Sequence, residues 1–328
     1  MEIVRGIAGL LVFMLIAFAL SSARRDVRWK VVIAGIALQL GLGALLLGLP
    51  ATQSMFAAAG RAVDAVYMAT LAGSQFVFGY LGGGEIPFTE TPGASSFILA
   101  FQSLPVLLVM SVLTAILTYW RILPWIVRVL GQALQRTLGI GGALGLGAAG
   151  NVFLGMVEAP LLIRPYLERM TRSELFALMT TGMATVAGTV LVVYARTLEE
   201  VLPSAAGHML VASLISLPAA VSIALIMLPE TATPTLGDTL PPREASGLMD
   251  AIAQGTQSGL RLLVQVAAML LVFVALVALL NSMLGTLPDV SDGPITLQRV
   301  FGWGMAPLCW LMGIPWQEAA TAGQLFGI

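Results

Sequence analysis

The chain has 328 residues, of which 58% are hydrophobic and 10% charged, with a formal net charge of −1 and a mean hydropathy of +0.93. A soluble domain carries about 25% charged residues, so this composition excludes an ordinary soluble globule and points to an integral membrane protein with several spans. A near-neutral balance gives no basic surface for nucleic acid, a single cysteine (Cys309) leaves no disulfide framework or thiolate metal site, and a single histidine (His208) makes a His cluster or a Ser-His-Asp triad hard to build. These absences weigh against an enzyme and leave membrane transport as the leading class.

The N-terminal run IVRGIAGLLVFMLIAFAL could be mistaken for a signal peptide, because ALSSA resembles a small-residue cleavage site. Only Arg5 precedes the core of that run, while Arg24, Arg25, Arg28 and Lys30 follow it. The bias predicts an uncleaved first helix over 3–20 with its N-terminus outside. A second span is expected over 31–49. The mixed stretch from 51 to 81, with Arg61 and Asp64, reads as an interfacial helix. GGGEIPFTETPG is a loop by its glycine and proline content. A third span is expected over 96–119, followed by a second interfacial helix, WRILPWIVRVLGQALQRTLG, with Arg121, Arg128 and Arg136 on a helical period.

The segment between Arg136 and Arg164 could span once, but both flanks are basic, the second carrying Arg164, Arg169 and Arg172. The positive-inside rule places both flanks in the cytoplasm, so the segment must enter and return. GIGGALGLGAAGN is too glycine-rich for one robust helix, and Pro160 and Pro165 bracket the exit. The expectation is a re-entrant hairpin with its tip near 150–156, facing a polar pocket rather than lipid. A fourth span over 175–195 carries Gly182, Thr185 and Gly188 and is expected to be locally unwound. A fifth covers about 209–228. A proline-rich loop leads to an amphipathic arm over 246–261 and a sixth span over 262–284, then to an acidic loop with Asp289 and Asp292.

This topology puts Arg24, Arg25, Arg28, Lys30, Arg121, Arg128, Arg136, Arg164, Arg169, Arg172, Arg243 and Arg261 inside. It leaves Arg5, Arg61, Arg196 and Arg299 outside, a bias of 12 to 4 among the 16 basic residues. Residues 301–328 read as the first arm of a second hairpin, with Pro307, Pro315 and Glu318, where the sequence stops. The expected divisions are 1–95 (two helices and an interfacial helix), 96–138 (scaffold and interfacial helices), 139–228 (a first transport repeat: hairpin plus two helices), 229–300 (linker, arm and sixth helix) and 301–328 (the arm of a second hairpin). The fold class is an all-α polytopic membrane protein with about six transmembrane helices plus interfacial helices and re-entrant hairpins.

One residue in the hairpin stands out. Glu158 sits in GNVFLGMVEAPLLIRPYL, where a carboxylate costs roughly 2.5–3.5 kcal/mol at a membrane centre. Broken helices supply free N–H and C=O groups for substrates and coupling ions near the midplane. The hairpin tip offers Asn151, carbonyls near Leu154, and Glu158; the interrupted helix offers Thr185 and its neighbouring carbonyls. Oxygen ligands without His or Cys suit a hard cation such as Na⁺. Each residue also has a plainer reading: Glu158 tied to backbone N–H groups, Asn151 capping a half-helix, Thr185 back-bonding within its helix. Glu318 reads as structural, and His208, near Glu199 and Glu200, as interfacial.

The run GNVFLGMVEAPLLIRPYLERMTRSELFALMTTGMATVAGTVLVVYA resembles the central signature of the concentrative nucleoside transporter family, approximately N-x-F-x-G-Q-T-E-A-P-L, then R-P, T-x-S-E-L and A-S/T-I/V-A-G. FGWGMAPLCWLMGIPWQEAATAG is similar to a second stretch typical of the family. The resemblance implies a cation-coupled nucleoside symporter of the cytoplasmic membrane, usually a homotrimer, without a cofactor beyond Na⁺ or H⁺ as coupling ion. It implies an elevator-type fold with inverted repeats, the second truncated here. By motif position, Asn151 and Thr185 would ligate Na⁺ through side chains and Leu154 and Val186 through carbonyls. The nucleobase would sit against Met156, Val157, Glu158 and Val190. Met156-Val157 stands where the family has Gln-Thr, which implies a more apolar base contact, since Met and Val cannot pair with a base edge. The family's Asn-Glu-Phe and Phe-Ala-Asn-x-Ser-Ser motifs do not occur. A proton-coupled symporter and a non-transporting, ligand-binding membrane subunit are the alternatives.

Overall fold

A computed structural model describes the chain except at residues 1, 49, 90–95, 157–158, 199–200, 203, 238–244, 287, 289–292 and 328. In chain order the helices are α1 (Glu2–Ala19), α2 (Trp29–Gly48), α3 (Pro50–Phe78), α4 (Leu99–Gln102), α5 (Pro105–Tyr119), α6 (Ile122–Leu138), α7 (Gly142–Phe153), α8 (Ala159–Leu162), α9 (Arg164–Leu167), α10 (Arg172–Ala184), α11 (Gly188–Leu198), α12 (Ala205–Met227), α13 (Leu248–Leu284), α14 (Leu297–Leu311) and α15 (Trp316–Gln324). No strand occurs among the described residues. Five segments there are long and apolar enough to cross a membrane: Trp29–Gly48, Leu99–Tyr119, Arg172–Leu198, Ala205–Met227 and Leu248–Leu284. α1 is apolar but shorter over its described side chains, Arg5–Ala19.

Local chemistry explains most boundaries. Pro105 opens α5 at a position where a missing N–H costs nothing. Gly139, at φ +65°, closes α6 and donates its N–H to the Gln135 carbonyl at 2.9 Å. Thr171 and Glu174 form a reciprocal capping box at the start of α10. The arm and the sixth span expected over 246–284 are one continuous helix, α13, because no proline interrupts the run.

The chain divides into two compact units. The larger holds residues 21–264. Its core gathers on α7, whose residues 142–152 are all buried. Leu138, Leu144, Val152, Ile163 and Leu217 pack there from α6, α7, the hairpin exit and α12. Small residues let backbones approach. A methyl group at Gly131 would lie 3.0 Å from the Gly145 main chain, and one at Gly259 would lie 2.7 Å from the Leu108 Cα.

The segment after α7 turns back at once. A methyl at Gly150 would touch Ala159 and Leu162 at 3.3 Å, and one at Gly147 would meet Ile163 at 2.9 Å. The two arms are therefore antiparallel neighbours, a helical hairpin. The span expected over 175–195 is two helices, α10 and α11, separated by residues 185–187.

The smaller unit holds residues 1–20 and 265–328. Gly9 lies directly against the Leu311 carbonyl, and the Arg5 guanidinium donates to the Gly313 carbonyl. Asn281 receives the Leu297 N–H at 2.8 Å and donates to Gln298 at 3.0 Å, tying α13 to the start of α14. Residues 301–328, expected as one arm, fold back on themselves. α14 and α15 pack through Gly302 and Gly323, with Ala306, Cys309 and Ala319 buried between them. The reversal lies at 312–315, where Gly313 takes φ +105° and Pro315 caps α15. The Gly-Ile-Pro turn, not the apolar character of the flanks, decides the local structure.

Candidate substrate and cation site

The hairpin tip sits in the break between α10 and α11. Phe153 ends α7, and Gly155, at φ +83°, turns the chain. A methyl at Gly155 would lie 2.5 Å from the Ala187 Cβ, and one at Gly188 would lie 2.5 Å from the Phe153 carbonyl oxygen. Only glycine fits these two positions, so the tip and the unwound backbone are in direct contact.

Asn151 is 1% exposed and lies at the centre of this contact. Its Nδ2 donates to the Leu178 carbonyl and to Thr181 Oγ1, both at 3.0 Å. A carbonyl can only accept, so the amide nitrogen must face α10. That fixes Oδ1 on the other side, where it is buried and has no hydrogen-bond partner among the described residues. The Asn151 main-chain oxygen accepts from Gly155 N–H at 3.2 Å and lies 3.3 Å from Thr185 Oγ1. The Thr185 hydroxyl also back-bonds to the Thr181 carbonyl at 2.9 Å. With its hydrogen directed at carbonyls, Thr185 Oγ1 keeps its lone pairs for another partner.

The structure thus brings Asn151, Leu154, Met156, Thr185 and Val186 to one junction. Leu154 is buried at the C-cap of α7, its N–H bonded to the Gly150 carbonyl at 2.9 Å. Val186 is half-buried, and its N–H donates to Ser213 Oγ on α12 at 3.0 Å. Met156 is 50% exposed and packs over Gly182, where a methyl would lie 2.9 Å from its Cγ. Val190 is half-buried one turn into α11. Val157 and Glu158 lie outside the described residues, as do Glu199, Glu200, Arg243, Asp289 and Asp292.

Thr181 and Ser213 escaped the sequence reading, and Gly182 was read only as a helix interruption. Thr181 orients the Asn151 amide; it stands one helical turn before Thr185, and that spacing was a usable signal. Gly182 makes room for Met156. Ser213 satisfies an N–H freed by the helix break, and nothing in its apolar neighbourhood marks it out.

A second polar cluster holds the base of the hairpin. Glu174 is 1% exposed and accepts from Thr235 N–H at 2.8 Å, Thr235 Oγ1 at 2.8 Å and Thr171 N–H at 3.1 Å. The Thr235 carbonyl in turn accepts from Ala143 N–H at 3.2 Å, at the start of α7. Glu230 accepts from Thr171 Oγ1 and from Ala232 N–H. These carboxylates knot a loop to two helix starts and lie apart from the tip.

Comparison with known proteins decides the family. The profile described as "Na+ dependent nucleoside transporter N-terminus" matches residues 8–81, "Nucleoside recognition" matches 100–200, and "Na+ dependent nucleoside transporter C-terminus" matches 208–328. An uncharacterized transporter of Haemophilus influenzae is 35% identical over 100% of this chain and 77% of its own length. This chain belongs to the concentrative nucleoside transporter family. Nucleoside permease NupC of Helicobacter pylori is 33% identical over 98% of this chain and 75% of its own length. The solved structure of CNTnw in an inward-facing substrate-bound state superposes with a TM-score of 0.89 at 35% identity, covering 100% of this chain and 77% of that one. Concentrative nucleoside transporters are thus relatives of this chain in sequence and in fold, across all its described helices.

Proposed function

We propose that this protein is a Na⁺-coupled nucleoside importer of the cytoplasmic membrane, in which the tip of the α7–α8 hairpin and the α10–α11 break hold both solutes. Asn151 and Thr185 supply side-chain oxygens to Na⁺, and Leu154 and Val186 supply carbonyls. Met156, Val157, Glu158 and Val190 receive the nucleoside. The observation that carries this reading is the buried Oδ1 of Asn151, without a hydrogen-bond partner among the described residues, at the junction of two interrupted helices. A buried amide oxygen without a donor costs about 1–3 kcal/mol, and a hard cation is the partner its chemistry suits.

In this reading the cation comes first. Na⁺ is coordinated by the neutral oxygens of the junction and draws the tip against the break, which completes the surface that meets the nucleoside. A carboxylate at Glu158 accepts hydrogen bonds from the base or sugar, while Met156 offers an apolar, adaptable face. The pocket therefore selects on shape and stacking as well as polarity. Residues 139–228 move as the transport unit, and the protein assembles as a homotrimer.

The test is uptake of radiolabelled nucleosides by proteoliposomes carrying the native gene product. Uptake should require a Na⁺ gradient, fall at least about tenfold in Asn151→Ala, and be abolished in Glu158→Ala. Uptake that follows a pH gradient and ignores Na⁺ would overturn the coupling ion. Uptake indifferent to Glu158→Ala would overturn the substrate site.

A further inference from the structure

We infer that Ser213 is a positioning residue for the cation site, acting through the peptide unit between Thr185 and Val186. The inference rests on the cation reading of residues 151, 154, 185 and 186 given above.

Where α10 ends at Ala184, the ladder of helical hydrogen bonds stops. The Thr185 N–H still reaches back to the Thr181 carbonyl, at 3.2 Å. The next N–H, of Val186, crosses instead to another helix and donates to Ser213 Oγ at 3.0 Å. Ser213 is 1% exposed, so water cannot take over that role. The peptide between residues 185 and 186 is planar and trans, with its N–H and C=O pointing in opposite directions. Fixing the Val186 N–H toward α12 therefore aims the Thr185 carbonyl away from α12. It also pins the backbone on the N-terminal side of Val186, one peptide before the Val186 carbonyl. Within the break no carbonyl one turn back takes the Val186 N–H among the described residues, and glycine follows at 188. A single hydroxyl on α12 thus restrains the peptide unit that leads into the Val186 carbonyl of the proposed site.

This role is separable from packing. Ser213→Ala keeps the size of the side chain within one oxygen atom but leaves the Val186 N–H buried and unpaired. The expected result is a rise of roughly three- to tenfold in the Na⁺ concentration for half-maximal uptake, with the nucleoside KM at saturating Na⁺ unchanged within about twofold. Ser213→Thr keeps the acceptor and should return the Na⁺ dependence toward wild type. If Ser213→Ala does not reach the membrane, Ser213→Cys replaces the hydroxyl by a weak acceptor and should show the same rise.

An unchanged Na⁺ half-saturation in these variants would overturn the inference. So would a parallel rise in Na⁺ half-saturation and nucleoside KM, which would mark a merely structural role. Asn151→Ala, measured alongside, separates the two levels. If it too leaves Na⁺ dependence unchanged, the cation site itself is misplaced. If it alone shifts Na⁺ dependence, the site stands and Ser213 does not serve it.

Discussion

The Thr185 hydroxyl lies 3.3 Å from the main-chain oxygen of Asn151, joining the break in one helix to the end of another. Residues 34 positions apart in the chain share this contact. Neither helix could reach it if it ran straight through. α7 must stop at Phe153 and α10 at Ala184 for the two ends to meet. The energetic cost of both interruptions is offset where the freed groups find partners across the junction. Free polar backbone at membrane depth persists only under such cover.

Close approach at the tip makes a first prediction. Gly155→Ala would force an L residue into φ +83° and bring its methyl within 2.5 Å of Ala187. Gly139→Ala takes a similar φ, +65°, but meets open space. The backbone term alone costs about 1–2 kcal/mol, and overpacking adds about 1–3 kcal/mol. Gly155→Ala should therefore lower the thermal midpoint in detergent clearly more than Gly139→Ala, and should depress uptake as well. Equal shifts in the two variants would show that the tip does not seat against the break.

Orientation of the Asn151 amide makes a second. Thr181→Val is nearly isosteric but removes the acceptor for one Nδ2 hydrogen, inside a fully buried pair. The expected cost is about 1–3 kcal/mol. Because the amide is then held only by the Leu178 carbonyl, the Na⁺ half-saturation should rise, and Thr181→Ser should restore it. The measurement is uptake against Na⁺ concentration, and an unaltered curve in Thr181→Val would break the link between that hydroxyl and the cation.

Much of this was legible in the sequence, for a physical reason. Composition and charge asymmetry are properties of the chain itself, so the all-helical membrane class and the hairpin between Arg136 and Arg164 followed from glycine, proline and arginine positions. The break near Thr185 followed from glycines flanking polar residues in an apolar run. The contributions of Thr181 and Ser213 did not follow, because a hydroxyl in an apolar helix looks the same whether it back-bonds or reaches across. Ser222 back-bonds to Pro218 on α12, while Ser213 on that helix serves Val186. Only the tertiary partner separates them. The fold-back of residues 301–328 was missed differently: its Gly-Ile-Pro turn is visible, but the apolar flanks read as one uninterrupted arm.

The knot at the base of the hairpin gives a third prediction. Glu174 accepts three hydrogen bonds while almost fully buried. In Glu174→Gln one oxygen becomes an NH₂ that cannot accept, so Thr171 and Thr235 lose a partner on one side. Hydrogen bonds to a charged group contribute about 1.5–3 kcal/mol each. The thermal midpoint should fall, while the Na⁺ half-saturation of the protein that remains folded stays at its wild-type value. A change in Na⁺ dependence without loss of stability would assign the carboxylate to the transport site instead.

Gly182 gives the last, and it separates substrate from ion. A methyl at Gly182 would lie 2.9 Å from Met156 Cγ and 3.4 Å from Asn151 Nδ2. The first distance demands movement and the second is ordinary contact. The contact includes Met156 Cβ at 3.0 Å, the root of the side chain, so Met156 must shift together with its backbone at the tip while Asn151 stays. Gly182→Ala is thus expected to shift the nucleoside KM severalfold, in a direction that depends on the base presented, and to leave the Na⁺ half-saturation within about twofold. The check is a comparison of purine and pyrimidine nucleoside uptake at saturating Na⁺. If all nucleosides keep their KM values while the Na⁺ curve moves, Met156 does not face the substrate, and the methyl acts through Asn151.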